Sequence, residues 1–240
     1  MLPDSKTEKK LNFNDLTTLL YGDSKIGKST WCSNIDRGLF LSTEPGLNAL
    51  EVYSISILSW EDLLAACSEI SKGGHDFETV IIDTIDIAYT LCTQYFCKKY
   101  NVDHESDVGY GKLYGLINNE FHRVLNKLAF LDTGLILVSH STEIDIETRI
   151  GKKTKVIPTL PNKARKIVTS LVDLILYCDL EKVTNEDGEI NYERVIRTKP
   201  STEYEAGDRT GLFPDTIPLD FNIFSSYFIL NNDSETVQRK

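Results

Sequence analysis

The sequence contains no run approaching the roughly 18 uninterrupted apolar residues of a membrane-spanning helix. Its first ten residues are polar and charged, without the apolar stretch of a signal peptide. The expectation is a soluble chain that is neither secreted nor inserted in a membrane. Five cysteines, Cys32, Cys67, Cys92, Cys97 and Cys178, form no C-x-x-C and stand beside no clustered histidines. They read as mostly buried thiols of a reducing cytoplasm rather than as a disulfide or zinc framework. Internal repeats are absent, and positive charge is in deficit: 26 basic residues face 36 acidic ones, a formal net charge of −10. A basic globule that coats nucleic acid is thereby excluded, so any polyanion must meet a local patch, which screening over about 8 Å permits.

What is present is ordinary globular composition, 41% hydrophobic and 26% charged over 240 residues, enough for one sizeable core. One domain over 11–230 is expected, with flexible ends at 1–10 and 231–240. Apolar runs at 16–21 and 39–42 enclose a glycine-containing loop and a short helix, and a β-rich stretch spans 52–58. Ser59 is a candidate N-cap for an amphipathic helix over 60–70, with Glu61 and Asp62 in its first turn and Gly73-Gly74 as its stop. Thr79-Val80-Ile81-Ile82-Asp83 reads as a strand buried on both faces. Two helices follow on apolar positions spaced by threes and fours, then a strand over 135–140 and more exposed strands over 174–178 and 194–197. Strands alternating with helices predict an α/β fold with a mainly parallel sheet.

Gly22-Asp23-Ser24-Lys25-Ile26-Gly27-Lys28-Ser29 matches G-x-x-x-x-G-K-[ST] at every fixed position, between an apolar strand and a helix start. Its glycines let the chain curl so that successive amides point at phosphate oxygens. Lys28 is expected to reach the β and γ phosphates, Ser29 to offer its hydroxyl to Mg²⁺, and Thr30 to support the α phosphate. A chance glycine-rich turn is the alternative, and the flanking strand and helix disfavour it. Asp83, at the end of a central strand, is expected to hold Mg²⁺ as well; otherwise it caps the next helix. Thr84 follows it, so an Asp-Glu pair supplying both metal ligand and base is missing. Glu44, just past the strand after the phosphate loop, is the candidate base, against the alternative of an exposed acid before Pro45.

The phosphate loop at residues 22–30, with Glu44, Asp83 and His140 at successive strand tips, resembles a RecA-like P-loop ATPase core. More specifically it resembles the compact RecA-like ATP-binding proteins of bacteriophage single-strand annealing and recombination systems, sometimes filed among AAA-domain families. The resemblance covers roughly residues 16–219. It implies ATP and Mg²⁺ as ligands, Lys28 and Ser29 on phosphate and metal, Asp83 as the metal-supporting acid, Glu44 orienting the attacking water and His140 sensing the γ phosphate. RecA has a glutamine in the sensing role, so the histidine is a departure; a strand-end histidine bonded to a loop is the alternative. The resemblance also suggests Arg197 and Lys199, or else Arg209, as cations reaching a neighbouring subunit's nucleotide in a ring or filament. Surface pairing with Glu203 and Glu205 is the competing expectation. It further implies a phage protein working in the host cytoplasm.

Between 149 and 166 stand Arg149, Lys152, Lys153, Lys155, Lys163, Arg165 and Lys166 with no acid. Gly151, Pro158 and Pro161 are expected to keep part of this segment in loop form. The interleaved Ile150, Val156, Ile157 and Leu160 are not aromatic, so the segment predicts backbone-led, sequence-tolerant binding of single-stranded DNA; a solvated basic hairpin is the alternative. Together these features predict an ATPase acting on single-stranded DNA in phage recombination or annealing, as a homo-oligomer with recombination or single-strand-binding partners. A P-loop small-molecule or nucleoside kinase, or a non-catalytic annealing module stabilised by nucleotide, would use the same loop. Kinases close an arginine-rich lid, whereas this basic segment is mostly lysine.

Overall fold

The computed structural model describes residues 2, 4–6, 12–148, 151–185 and 187–238. Its strands are β1 (Thr17–Gly22), β2 (Gly38–Ser42), β3 (Tyr53–Ser56), β4 (Thr79–Asp83), β5 (Gly134–Thr148), β6 (Gly151–Pro158), β7 (Leu174–Thr184), β8 (Ile190–Arg197), β9 (Gly207–Asp208) and β10 (Thr216–Pro218). Its helices are α1 (Lys28–Cys32), α2 (Trp60–Lys72), α3 (Ile85–Tyr100), α4 (Lys112–Ala129), α5 (Asn162–Leu171) and α6 (Phe221–Gln238). Helix α6 thus runs past residue 230, where the sequence suggested a flexible end.

The central path of the sheet is β10-β8-β7-β1-β5-β4-β2-β3, parallel from β7 to β3 and antiparallel at its β8 and β10 edge. The α/β class with a mainly parallel sheet is as expected, with β5 between the phosphate-loop strand β1 and the Asp83 strand β4. Strand alternation divides the core between the two faces. Leu19, Val80, Ile82, Leu135 and Leu137 face the layer of α2, α3, α4 and α5. Leu20, Ile81, Ile136 and Val138 face α1 and α6, where Phe13, Trp31, Phe213 and Phe224 meet. With both faces covered, β1 and β4 are buried throughout, which is why they read as continuous apolar runs.

Local signals set the helix ends. Ser59 Oγ accepts the Asp62 amide at 3.1 Å, capping α2, and Gly73 closes it at φ 69°. Leu113, Ile117, Phe121, Val124, Leu125 and Leu128 form the buried stripe of α4.

Three strands exceed their expected lengths. Strand β5 continues past His140 to Thr148 and pairs antiparallel with β6, so most of the expected basic loop is a β-hairpin arm followed by α5. Strands β7 and β8 extend to Thr184 and from Ile190 as a second hairpin. In both hairpins polar side chains alternate along exposed arms, a pattern that resembles loop when no buried face marks it.

Candidate nucleotide-binding site

The parallel strands deliver their C-terminal ends to one edge of the sheet, where open α/β folds place ligand groups. Gly22 ends β1 against Cys178 of β7, so closely that a Cβ on it would lie 2.5 Å from the Cys178 carbonyl oxygen. Only glycine fits there. The loop then takes left-handed backbone at Lys25, φ 63°, and an unusual φ of 120° at Gly27 before α1 begins. Asp23, Ser24, Lys25 and Thr30 are exposed, whereas Ile26 is buried in the α1 and α6 layer.

Lys28 is 5% exposed and its Nζ donates to the carbonyls of Gly22 and Asp23, each at 2.8 Å, so the ammonium is folded over its own loop. Burial lowers its proton affinity, opposed by Cys178, Asp83, Asp86 and Asp23. Ser29 Oγ donates to Asp83 Oδ2 at 2.7 Å. Burial raises the Asp83 pKa, with the Ser29 hydrogen bond working against it; Glu44 raises it further, while Lys28 and His140 lower it. A carboxylate that burial disfavours, joined to a hydroxyl at the phosphate loop, is a hard oxygen pair suited to Mg²⁺. Among the described residues no cluster of three or more His, Cys, Asp or Glu could hold a metal, so such an ion would draw its other ligands from phosphate and water.

The ends of β2 and β5 meet beside this pair. Thr43 Oγ1 donates to the Thr84 carbonyl at 2.9 Å and accepts the Thr84 amide at 2.8 Å, tying β2 to β4. Glu44 follows, its main-chain carbonyl held by Ser42 Oγ at 2.8 Å and its Oε1 3.3 Å from His140 Nε2. Both side chains are about one third exposed, 37% for Glu44 and 34% for His140. His140 pairs with Gly22 in the β1–β5 ladder, so the Glu44–His140 couple stands directly across from the phosphate loop. Asp86, Thr43 and the Ser141 hydroxyl that donates to Asp23 Oδ1 belong to no motif and escaped the sequence. The one available signal was the position of Asp86, one helical turn after Asp83.

A cleft of about 130 Å³ opens on the other flank of the loop, lined by Gly27, Thr30, Asn34, Arg194, Phe221 and Asn222. Trp31 also lines it, and its Nε1 has no hydrogen-bond partner among the described residues.

The expected trans-acting cations are engaged within the chain. Arg197 binds Asp179 at 3.1 Å, Glu181 at 3.0 Å and Thr216 Oγ1 at 2.9 Å. Lys199 pairs with Asp208 at 3.0 Å, and Arg209 reaches Asp173 at 3.4 Å and the Ser170 carbonyl at 3.0 Å. Glu203 and Glu205, the anticipated partners, instead face Lys153 at 4.0 Å, and Lys155 and Arg165 at 3.8 and 4.0 Å.

Arg149 lies outside the described residues. Register with β5 sets Lys152 opposite Glu147 and brings Glu143 and Asp145 onto the same face of the hairpin. The uninterrupted positive segment of the sequence is therefore flanked by acid in three dimensions. Lys152, Lys163 and Lys166 are exposed and have no ion pair among the described residues.

A family model described as an AAA domain matches residues 14–210. The chain is 28% identical over 165 residues to the SPbeta prophage-derived uncharacterized protein YorG of Bacillus subtilis (strain 168), a match covering 66% of this chain and 49% of that protein. The match thus spans about half the length of that relative. Solved structures with similarity include the KaiC-like protein PH0186 of Pyrococcus horikoshii OT3, at 11% identity and TM-score 0.43 over 77% of this chain and 78% of that one. The flagellar accessory protein FlaH of Methanocaldococcus jannaschii aligns at 11% identity and TM-score 0.43 over 88% of each chain. An ATPase from the type III secretion system of pathogenic bacteria aligns at 14% identity and TM-score 0.46 over 69% of this chain and 51% of that one. Among the described residues no helix is long and apolar enough to cross a membrane. With the family model covering most of its length, the chain belongs to the AAA domain family.

Proposed function

We propose that the protein binds ATP with Mg²⁺ in the turn formed by residues 22–30 and hydrolyses the bond between the β and γ phosphates. The observation that carries this reading is the convergence at one sheet edge of Lys28, the Ser29–Asp83 pair and the Glu44–His140 couple, drawn from elements far apart in sequence. In this reading the phosphates replace the Gly22 and Asp23 carbonyls as acceptors for Lys28. Ser29 and Asp83 hold Mg²⁺, which when bound neutralises charge developing on the phosphates. Glu44 accepts a proton from the attacking water, and His140, in contact with Glu44, senses the γ phosphate. The nucleoside end occupies the cleft beside Gly27, where Asn34, Asn222 and Arg194 offer polar groups and Phe221 an aromatic surface.

Single-stranded DNA is the proposed polyanionic partner, supported by the exposed Lys152, Lys163 and Lys166 and by the exposed hairpin arm. The prophage origin of the B. subtilis relative fits a role in phage recombination or annealing. Homo-oligomeric assembly belongs to the same proposal; a trans-acting Arg197, Lys199 or Arg209 would first have to leave Asp179, Asp208 or Asp173. The test is ATP turnover with and without single-stranded DNA across protein concentrations. Phosphate release that rises with DNA and with concentration supports the reading. Transfer of the phosphate to a nucleoside monophosphate points to a kinase, and binding without turnover to an annealing module.

A further inference from the structure

Strand β4 stops at Asp83, which pairs with Val138, whereas β5 continues beside β1 through Ser139 and His140. Past Val138 the β4 side of β5 has lost its strand, and an amide left there without an acceptor would be costly. The carboxylate of Asp86, in the first turn of α3, takes that place. Its Oδ2 accepts the His140 amide at 2.8 Å and its Oδ1 accepts the Ser139 hydroxyl at 2.7 Å. The His140 carbonyl is held in turn by the Thr159 amide at 3.0 Å. Both main-chain groups of His140 are therefore fixed, and from that anchored backbone the imidazole reaches Glu44 Oε1 at 3.3 Å.

Asp86 has no cation within 4.0 Å among the described residues, so it is not half of an ion pair. Burial raises its proton affinity, and the hydrogen bonds from His140 and Ser139 oppose that rise. A carboxylate held in such a setting, with both oxygens spent on the end of β5, has a geometric task.

We propose that Asp86 is a positioning residue that extends the sheet ladder beyond β4 and so sets the His140–Glu44 couple against the phosphate loop. It touches no reacting atom. The inference rests on the hydrolytic reading above, and it implies that the effect of Asp86 passes through His140.

The experiment is a double-mutant cycle of Asp86→Ala with His140→Ala, measuring kcat and nucleotide affinity separately. In the parent background Asp86→Ala is expected to lower kcat about 10²-fold, with affinity changed by less than about twofold. Asp86→Asn keeps an oxygen for the His140 amide and should retain most of kcat. In the His140→Ala background Asp86→Ala should cost nothing further. Additive losses, an unchanged kcat, or a loss carried wholly by affinity would overturn the proposal. If Asp86→Ala does not fold, Ser139→Ala takes its place in the same cycle, with the same results counting for and against. If the parent shows no turnover, the hydrolytic reading fails, and the positioning claim is read by NMR instead. The His140 imidazole resonances should respond to Glu44→Gln in the parent and lose that response in Asp86→Ala; a response that persists overturns it.

Discussion

Ser29 Oγ donates to Asp83 Oδ2 at 2.7 Å across 54 residues of sequence, joining the phosphate loop to the end of a strand two places away in the sheet. The pair places a buried carboxylate whose side-chain hydrogen bond, among the described residues, comes from a neutral hydroxyl. Burial pushes the Asp83 pKa above its ordinary 3.8, so the native state binds that proton more tightly than the unfolded chain. Its contribution to stability is greatest below pH 3.8 and is lost as pH rises through the native value. Asp83→Asn should therefore raise the melting temperature of the nucleotide-free protein at neutral pH. The gain should shrink to nothing in acid, while Mg²⁺-dependent nucleotide binding weakens. Thermal melts between pH 3 and 8 check this, and a destabilised variant at pH 7 contradicts it.

Gly22→Ala tests the close approach of β1 to β7. The new Cβ would stand 2.5 Å from a main-chain oxygen, which cannot swing aside as a flexible side chain can. Overpacking of this kind costs about 1–3 kcal/mol, read from denaturant midpoints. A neutral substitution would mean that the Gly22–Cys178 contact is looser than described.

Glu44→Gln should reduce ATP turnover by about 10²-fold or more with little change in nucleotide affinity, because it removes a proton acceptor and keeps the shape. Steady-state rates beside equilibrium binding separate the two effects. Equal turnover would remove Glu44 from the role of base.

Replacing Lys152, Lys163 and Lys166 by Ala should flatten the salt dependence of single-stranded DNA affinity by up to about 0.7 per lost phosphate contact. Lys153 and Lys155, already facing Glu203 and Glu205, should matter less when replaced. Binding isotherms over a salt series distinguish the two sets, and an unchanged slope in the first would remove the segment from DNA contact.

The parts of this arrangement written in local sequence were the ones legible before the fold. Gly22, Gly27, Lys28 and Ser29 carry their geometry within eight residues, and Thr79–Asp83 announces its burial by composition. Ser59 could be recognised as a cap because its partner Asp62 is three residues away. Relationships set by non-local register were not legible. Glu147 stands opposite Lys152 only because β6 pairs antiparallel with β5, so counting charge along a window overstated the positive surface. Arg197 finds Asp179 and Glu181 through the β7–β8 hairpin, whose apolar residues Leu180, Ile190 and Tyr192 stay exposed, so no buried face marks the arms. Asp86 sits in no motif, and its task depends on where β4 happens to end.

The central claim is that the chain from Gly22 to Ser29 wraps a triphosphate, with Lys28 on its phosphates. Calorimetric titration of ATP and Mg²⁺ into the parent and Lys28→Ala proteins tests it most directly. The account predicts binding at one site per chain that depends on Mg²⁺ and weakens about tenfold or more in the variant, as expected for loss of a charge-assisted contact. Equal affinity in the two proteins would contradict it.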